Sequence, residues 1–240
     1  MKAELFKFKM MPTPRRAAYF LLGLILLAVV LIWQTGPGDA SGNIDIVLVF
    51  PTAIVSIILG SWIIGLEYGQ NTIRRTLSAD PGRLRLMANK LAAVLLLIIL
   101  GTTLLFLIAY LVFNLADGNT GAYGEQEMFS DSLISALISN VVLAVIAFSI
   151  TTLFSSMTGG LVFTVVFFLV ADTLFMLIPK IGEYSLGIAL SDISYYILER
   201  GDSFQTEPTH SALTAALTLL VWVVVAIALA VTKFLRTDVK

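Results

Sequence analysis

The chain has 240 residues, of which 58% are hydrophobic and only 13% charged; an ordinary soluble domain carries roughly 25% charged residues. A soluble fold of this length has too little interior to hide so much apolar side chain, so the common globular classes are excluded and a bilayer is the expected solvent. Cysteine is absent, which removes disulfides and thiolate metal sites. The net charge of -1 means little until its distribution is read.

The N-terminal arm alternates lysines with aromatics up to Met11. The apolar run after it lacks a small-residue cleavage site, so a retained arm is expected rather than a cleaved signal peptide. Crossing the hydrocarbon takes about 20 mostly apolar residues in a helix. Six runs qualify: 17–33, 46–66, 91–113, 133–154, 160–178 and 213–232. Backbone groups in lipid must bond within their own segment, and the runs are continuous rather than alternating, so helices are predicted and a barrel is not. The fold class expected is an all-α integral membrane protein, one transmembrane domain over residues 1–240.

Charge sets the orientation. Lys2, Lys7, Lys9, Arg15 and Arg16 lie on the arm, Arg74, Arg75, Arg83, Arg85 and Lys90 between spans two and three, and Lys233, Arg236 and Lys240 on the tail. The opposite side holds only Lys180 and Arg200, among acids such as Asp39, Asp45, Asp117, Glu125, Glu127 and Asp131. Basic loops stay cytoplasmic, so both termini are predicted there. The Gly-, Asn- and Asp-rich loops 34–45 and 114–131 then become flexible external caps. No internal repeat is evident, which removes the usual pointer to an inverted-repeat transporter.

Two segments between spans carry more information. In residues 67–90, Asn71 caps a short predicted helix with Ile73 and Leu77 on one face and Arg74 and Arg75 beside them. Pro81 ends that helix near Ala79, and a second stretch from Arg83 runs through Leu84 and Met87 into the third span. Residues alone leave two readings open: a docking helix for a cytoplasmic partner, or an interfacial hairpin on anionic headgroups at about 1 kcal/mol per basic residue. In residues 179–211, Leu186, Ala189, Leu190, Ile193, Tyr196 and Ile197 recur at helical spacing, in a stretch too short to span. One or two helices dipping into the outer leaflet, tied there by Tyr195 and Tyr196, are expected; a plain external cap is the alternative.

Candidate chemistry is sparse. No glycine is followed by lysine, so no phosphate-binding loop exists to hydrolyse ATP. There is no G-x-S-x-G elbow, and the single histidine, His210, cannot form a zinc pair and is expected to be solvated. Asp172 lies well inside span five, where a charge costs about 2.5–3.5 kcal/mol and a functional role is the default. Either it meets a cationic cargo or proton in a translocation pathway, or it packs as a hydrogen-bonded carboxyl beside Asn140, Ser139 or a neighbouring Thr. Ser56/Gly60 and Ser61/Gly65 in span two allow close helix approach, a candidate dimer contact. Gly159 and Gly160 are expected to permit the turn between spans four and five.

The segment EYGQNTIRRTLSADPGRLRLMANK resembles the first cytoplasmic loop of ABC-2 type permeases. Those loops show a Glu leaving the second span, Gly-Thr and a basic residue, a Pro turn, an Arg, and a Lys entering the third span. Here the positions read Glu67, Thr72, Arg74, Pro81, Arg83 or Arg85, and Lys90, with Asn71 where Gly is usual. The likeness extends over the whole chain, through the basic arm, the six spans and the external helical segment. It implies a permease without enzymatic activity in the cell membrane, dimerising with a second copy or homologue. A separate ATPase subunit would bind ATP and Mg and dock beneath Ile73, Arg74, Arg75, Leu77 and Arg83. Glu67 would then latch the loop to the span through Arg74 or Arg83, as a gate; the alternative is that it simply marks the end of the apolar run. The cargo implied is an amphipathic or antimicrobial peptide, an antibiotic or another hydrophobic compound; lipid is the only other partner expected, and nucleic acid is not. Two rivals remain, a membrane subunit of a vitamin importer and a non-transporting scaffold or immunity protein.

Overall fold

A computed structural model describes residues 48–70, 82–116, 126–198 and 207–236, together with Gly23. Among them all regular structure is helical: α1 (Phe50–Gly69), α2 (Arg83–Ala116), α3 (Gln126–Phe154), α4 (Met157–Val166), α5 (Asp172–Met176), α6 (Leu186–Leu198) and α7 (Ala212–Arg236). A π turn, Phe167–Ala171, joins α4 to α5, and a single 3-10 turn, Gly182–Tyr184, precedes α6. Five helical stretches are long and apolar enough to cross a membrane: α1, α2, α3, the α4–α5 rod and α7. They correspond to predicted spans two to six. The predicted first span lies outside the described residues apart from Gly23, as do Ile73, Arg74, Arg75 and Leu77.

α3 is the central helix, with α1, α2, α4, α6 and α7 all packed on it. Its residues from Val142 to Thr152 are buried without a break. By contrast, Leu100, Leu104 and Leu107 on α2 and Leu217, Leu220 and Val224 on α7 are open to the outside. An exposed apolar surface of this extent is far beyond what a soluble monomer shows, and it suits a multi-pass membrane protein.

Local sequence explains where the rods begin and end. Pro51 sits in the first turn of α1, where a missing N–H has no partner to lose. Hydroxyls inside the bundle bond back to carbonyls one turn earlier: Thr52 to Leu48, Ser56 to Thr52, Thr151 to Ala147, Thr152 to Phe148 and Thr164 to Gly160. That pairing lets polar side chains sit in an apolar interior.

The glycines of spans two and five act differently from expectation. A Cβ on Gly60 would lie 2.5 Å from the Ala144 carbonyl oxygen, and one on Gly65 would lie 2.7 Å from Met157 Cβ. Ser56 and Ser61 are buried beside them. The small-residue face of span two is therefore filled by α3 and α4 of the same chain rather than turned toward a second copy. The turn between α3 and α4 bends at Ser155, whose φ of 52° is left-handed, and Ser156 then accepts the Gly159 N–H to cap α4. Gly160 has another use, since a Cβ there would collide with Thr151.

Candidate functional site

At the cytoplasmic end predicted from the charge pattern, α1 and α2 run side by side and bring Glu67 against Lys90. Lys90 Nζ donates to Glu67 Oε1 at 3.1 Å, and the residues are 1% and 3% exposed respectively. Ile63, Ile64, Leu86, Met87, Phe148 and Phe234 form the apolar cluster of this region. Two charges in such surroundings must be paired closely, because each alone would carry a desolvation penalty of several kcal/mol. Lys90 is a partner of Glu67 that the loop pattern did not suggest, and Arg74, one of the two expected, lies outside the described residues.

Arg83 opens α2, and its guanidinium donates to the carbonyls of Phe234 at 3.4 Å and Leu235 at 3.0 Å. Those carbonyls belong to the last turn of α7, where the helix dipole favours a cation. Glu67, Lys90 and Arg83 thus tie the ends of three spans at the base of the 70–82 loop. Of the sequence-predicted coupling residues, Arg83 is placed here, and Ile73, Arg74, Arg75 and Leu77 fall outside the described residues.

Asp172 belongs to a second constellation, near the other end. Its side chain is 2% exposed, with Oδ1 accepting the Leu186 N–H at 3.0 Å and Oδ2 the Gly187 N–H at 2.8 Å. These are first-turn amides of α6, which have no intrahelical acceptor. The carboxylate is therefore the acceptor for the start of a helix fourteen residues downstream. Asn140, one partner suggested from the sequence, donates instead to Thr102 at 3.1 Å. Gly187 permits the approach: a Cβ there would lie 2.5 Å from Asp172 Oδ2.

Asp192 repeats the arrangement at the next joint. It is fully buried and accepts the N–H groups of Thr209 at 2.8 Å and His210 at 3.0 Å, with His210 Nδ1 at 3.2 Å from the same carboxylate. Tyr196 donates its hydroxyl to the His210 carbonyl at 2.8 Å, and the His210 ring packs 4.9 Å from that of Tyr184. His210 is accordingly a fixed member of the joint between α6 and α7, a correction to the solvated residue expected. Asp192 itself was overlooked. It sits three residues after Ala189 and four before Tyr196, on the apolar ridge of α6, and an acid on that ridge was the available signal.

Among the described residues no cluster of three His, Cys, Asp or Glu is arranged to hold a metal ion. No protein-family model matches this chain, and no curated protein matches it.

Proposed function

We propose that this chain is the membrane subunit of an ATP-driven exporter of the ABC-2 type, dimerising in the cell membrane and driven by a separate ATPase. The observation that carries the reading is the buried Glu67–Lys90 pair, with Arg83 on the last carbonyls of α7, at the root of the loop that resembles the docking loop of those permeases. A loop that transmits force needs a stiff root. A paired charge inside an apolar cluster gives one, because separating it exposes each ion to its full desolvation penalty. A push on the loop then reaches spans two, three and six together.

In this reading Ile73 and Leu77 meet the ATPase, with Arg74 and Arg75 flanking them, and ATP and Mg are held by the partner. The cargo class is an amphipathic peptide, an antibiotic or another hydrophobic compound. Asp172, engaged by two backbone N–H groups of α6, ties span five to that helix along the pathway rather than offering a free carboxylate.

The test is purification of the tagged full-length chain from its native membrane in mild detergent, followed by assay of ATP hydrolysis. A stoichiometric ATPase is expected to accompany the wild-type chain and to be lost from Leu77→Asp, which inserts normally but carries an unpaired charge into the contact. An ATPase retained at wild-type stoichiometry by Leu77→Asp overturns the docking assignment. A partner that binds without hydrolysing ATP favours the scaffold reading instead.

A further inference from the structure

Span five is held unevenly along its length. Its inner half, α4, packs on α1 and α3, with Gly160 closed against Thr151. Its outer half begins at the π turn and is peripheral: Leu169, Val170, Leu174 and Leu177 are all at least half exposed. Phe167 and Phe175 meet the Trp222 ring of α7 edge-on at 5.8 and 6.3 Å, contacts that carry no directional bond to resist sliding. Asp172 of this outer half accepts two N–H groups from the first turn of α6, and at its far end the Ile178 and Ile181 carbonyls accept the N–H groups of Gly182 and Tyr184 in the turn before α6.

α6 is anchored elsewhere. Leu186, Ala189 and Leu190 enter the core beside Val142, Leu143 and Ile146 of α3. Ser194 shares a hydrogen bond with Ser135 of α3 at 2.7 Å, and the Asp192–His210 joint fixes α6 to the start of α7. Trp222 Nε1 donates to the Tyr184 carbonyl at 3.0 Å, which adds the preceding turn to the same frame. So α6, α3 and α7 form one body, and the outer half of span five leans on it.

The π turn is placed where a hinge is needed. A five-residue π segment holds one residue more than the α path, and such insertions recur at functional sites. Its conversion to α-helix would turn the segment between it and the Gly182–Tyr184 turn by about 100°, carrying the Asp172 carboxylate away from the two N–H groups of α6, which stays on its frame.

We propose that the outer half of span five, from the π turn to Ile181, is a hinged arm, and that Asp172 is the fastener that closes it on the first turn of α6. Release opens a slot between span five and α6 on the lipid-facing side of the molecule. The inference stands apart from the transport reading, and if that reading holds the slot is an outer exit.

The absence of cysteine makes the test direct, since labelled pairs need no background removal. The full-length chain in lipid nanodiscs would carry nitroxides at Leu174 and Leu220 to report the arm, or at Val162 and Leu220 to report the rod below the hinge. All three positions are exposed. Pulsed electron resonance should show one dominant arm distance in the parent. In Asp172→Ala a second, longer population should rise by about tenfold or more, as expected for two charge-assisted bonds lost, while the inner pair stays unchanged. Gly187→Ala, which presses on the same carboxylate from the other side, should move the arm in the same direction and decides the matter if Asp172→Ala does not fold. An unchanged arm distribution overturns the fastener. An inner pair that shifts with the arm overturns the hinge, because the whole span would then be loosened.

Discussion

Lys90 Nζ meets Glu67 Oε1 at 3.1 Å with both side chains almost sealed from solvent. Removing one member takes the ion-pair partner from a charge held inside an apolar cluster. Glu67→Gln or Lys90→Met alone should therefore lower stability by about 3–5 kcal/mol. The double substitution should recover most of that loss, because neutral groups of similar volume carry no such penalty. Unfolding in mixed detergent micelles, analysed as a double-mutant cycle, supplies the measurement. Simple additivity of the two losses would mean that the pair is not energetically coupled.

The glycines offer a second check, with opposite signs at different positions. Gly160→Ala forces a Cβ onto Thr151, and Gly60→Ala forces one onto the Ala144 carbonyl, so each should cost about 1–3 kcal/mol by pushing helices apart. A Cβ at Gly101 meets nothing within 4 Å. Gly101→Ala should be neutral or stabilising by up to about 1 kcal/mol through helix propensity. Melting temperatures of the three variants, measured side by side, should keep that order.

At the joint between α6 and α7, Asp192 accepts two backbone N–H groups and the His210 ring. Asp192→Ala strips both amides of their acceptor, which should cost about 1–3 kcal/mol. His210→Ala removes the ring contacts and leaves the amides paired, so its loss should be smaller. Amide exchange at Thr209 and His210 distinguishes them: it should accelerate strongly in Asp192→Ala and only slightly in His210→Ala. Equal acceleration in both would assign the joint to the ring rather than to the carboxylate.

The long apolar runs made five of the spans legible, and the helical stretch expected from Arg83 into the third span is present as the start of α2. The short helix at 186–198 was legible from its spacing as well. What periodicity does not carry is pairing across the chain. Lys90 lies 23 residues from Glu67, and Leu186 fourteen from Asp172, so no local pattern linked them. The glycines of span two misled for a related reason. Small residues mark close approach, but the sequence does not say whether the approaching helix belongs to the same chain. His210 looked solvated because a lone histidine in a loop usually is, and the buried Asp192 that captures it sits eighteen residues away.

Arg83 allows stability and coupling to be separated. Its guanidinium donates to the carbonyls of Phe234 and Leu235, linking the first residue of span three to the last turn of span six. A cation at a helix C-terminus contributes about 0.3–1 kcal/mol at exposed positions. Arg83→Gln should therefore shift the melting temperature only slightly, and Arg83→Lys less still, since the charge remains. The link matters more if movement of the 70–82 loop must reach span six. Under the transport reading, Arg83→Gln should cut coupled export well beyond any loss of folded protein. Arg83→Lys should restore part of it, because an ammonium can reach one carbonyl but lacks the fork of donors. The measurement is export per folded complex, with ATP hydrolysis followed in the same vesicles. Hydrolysis that persists while export falls would mark Arg83 as a transmitter, and a fall in export matched by the fall in folded protein would leave it a helix cap and nothing more.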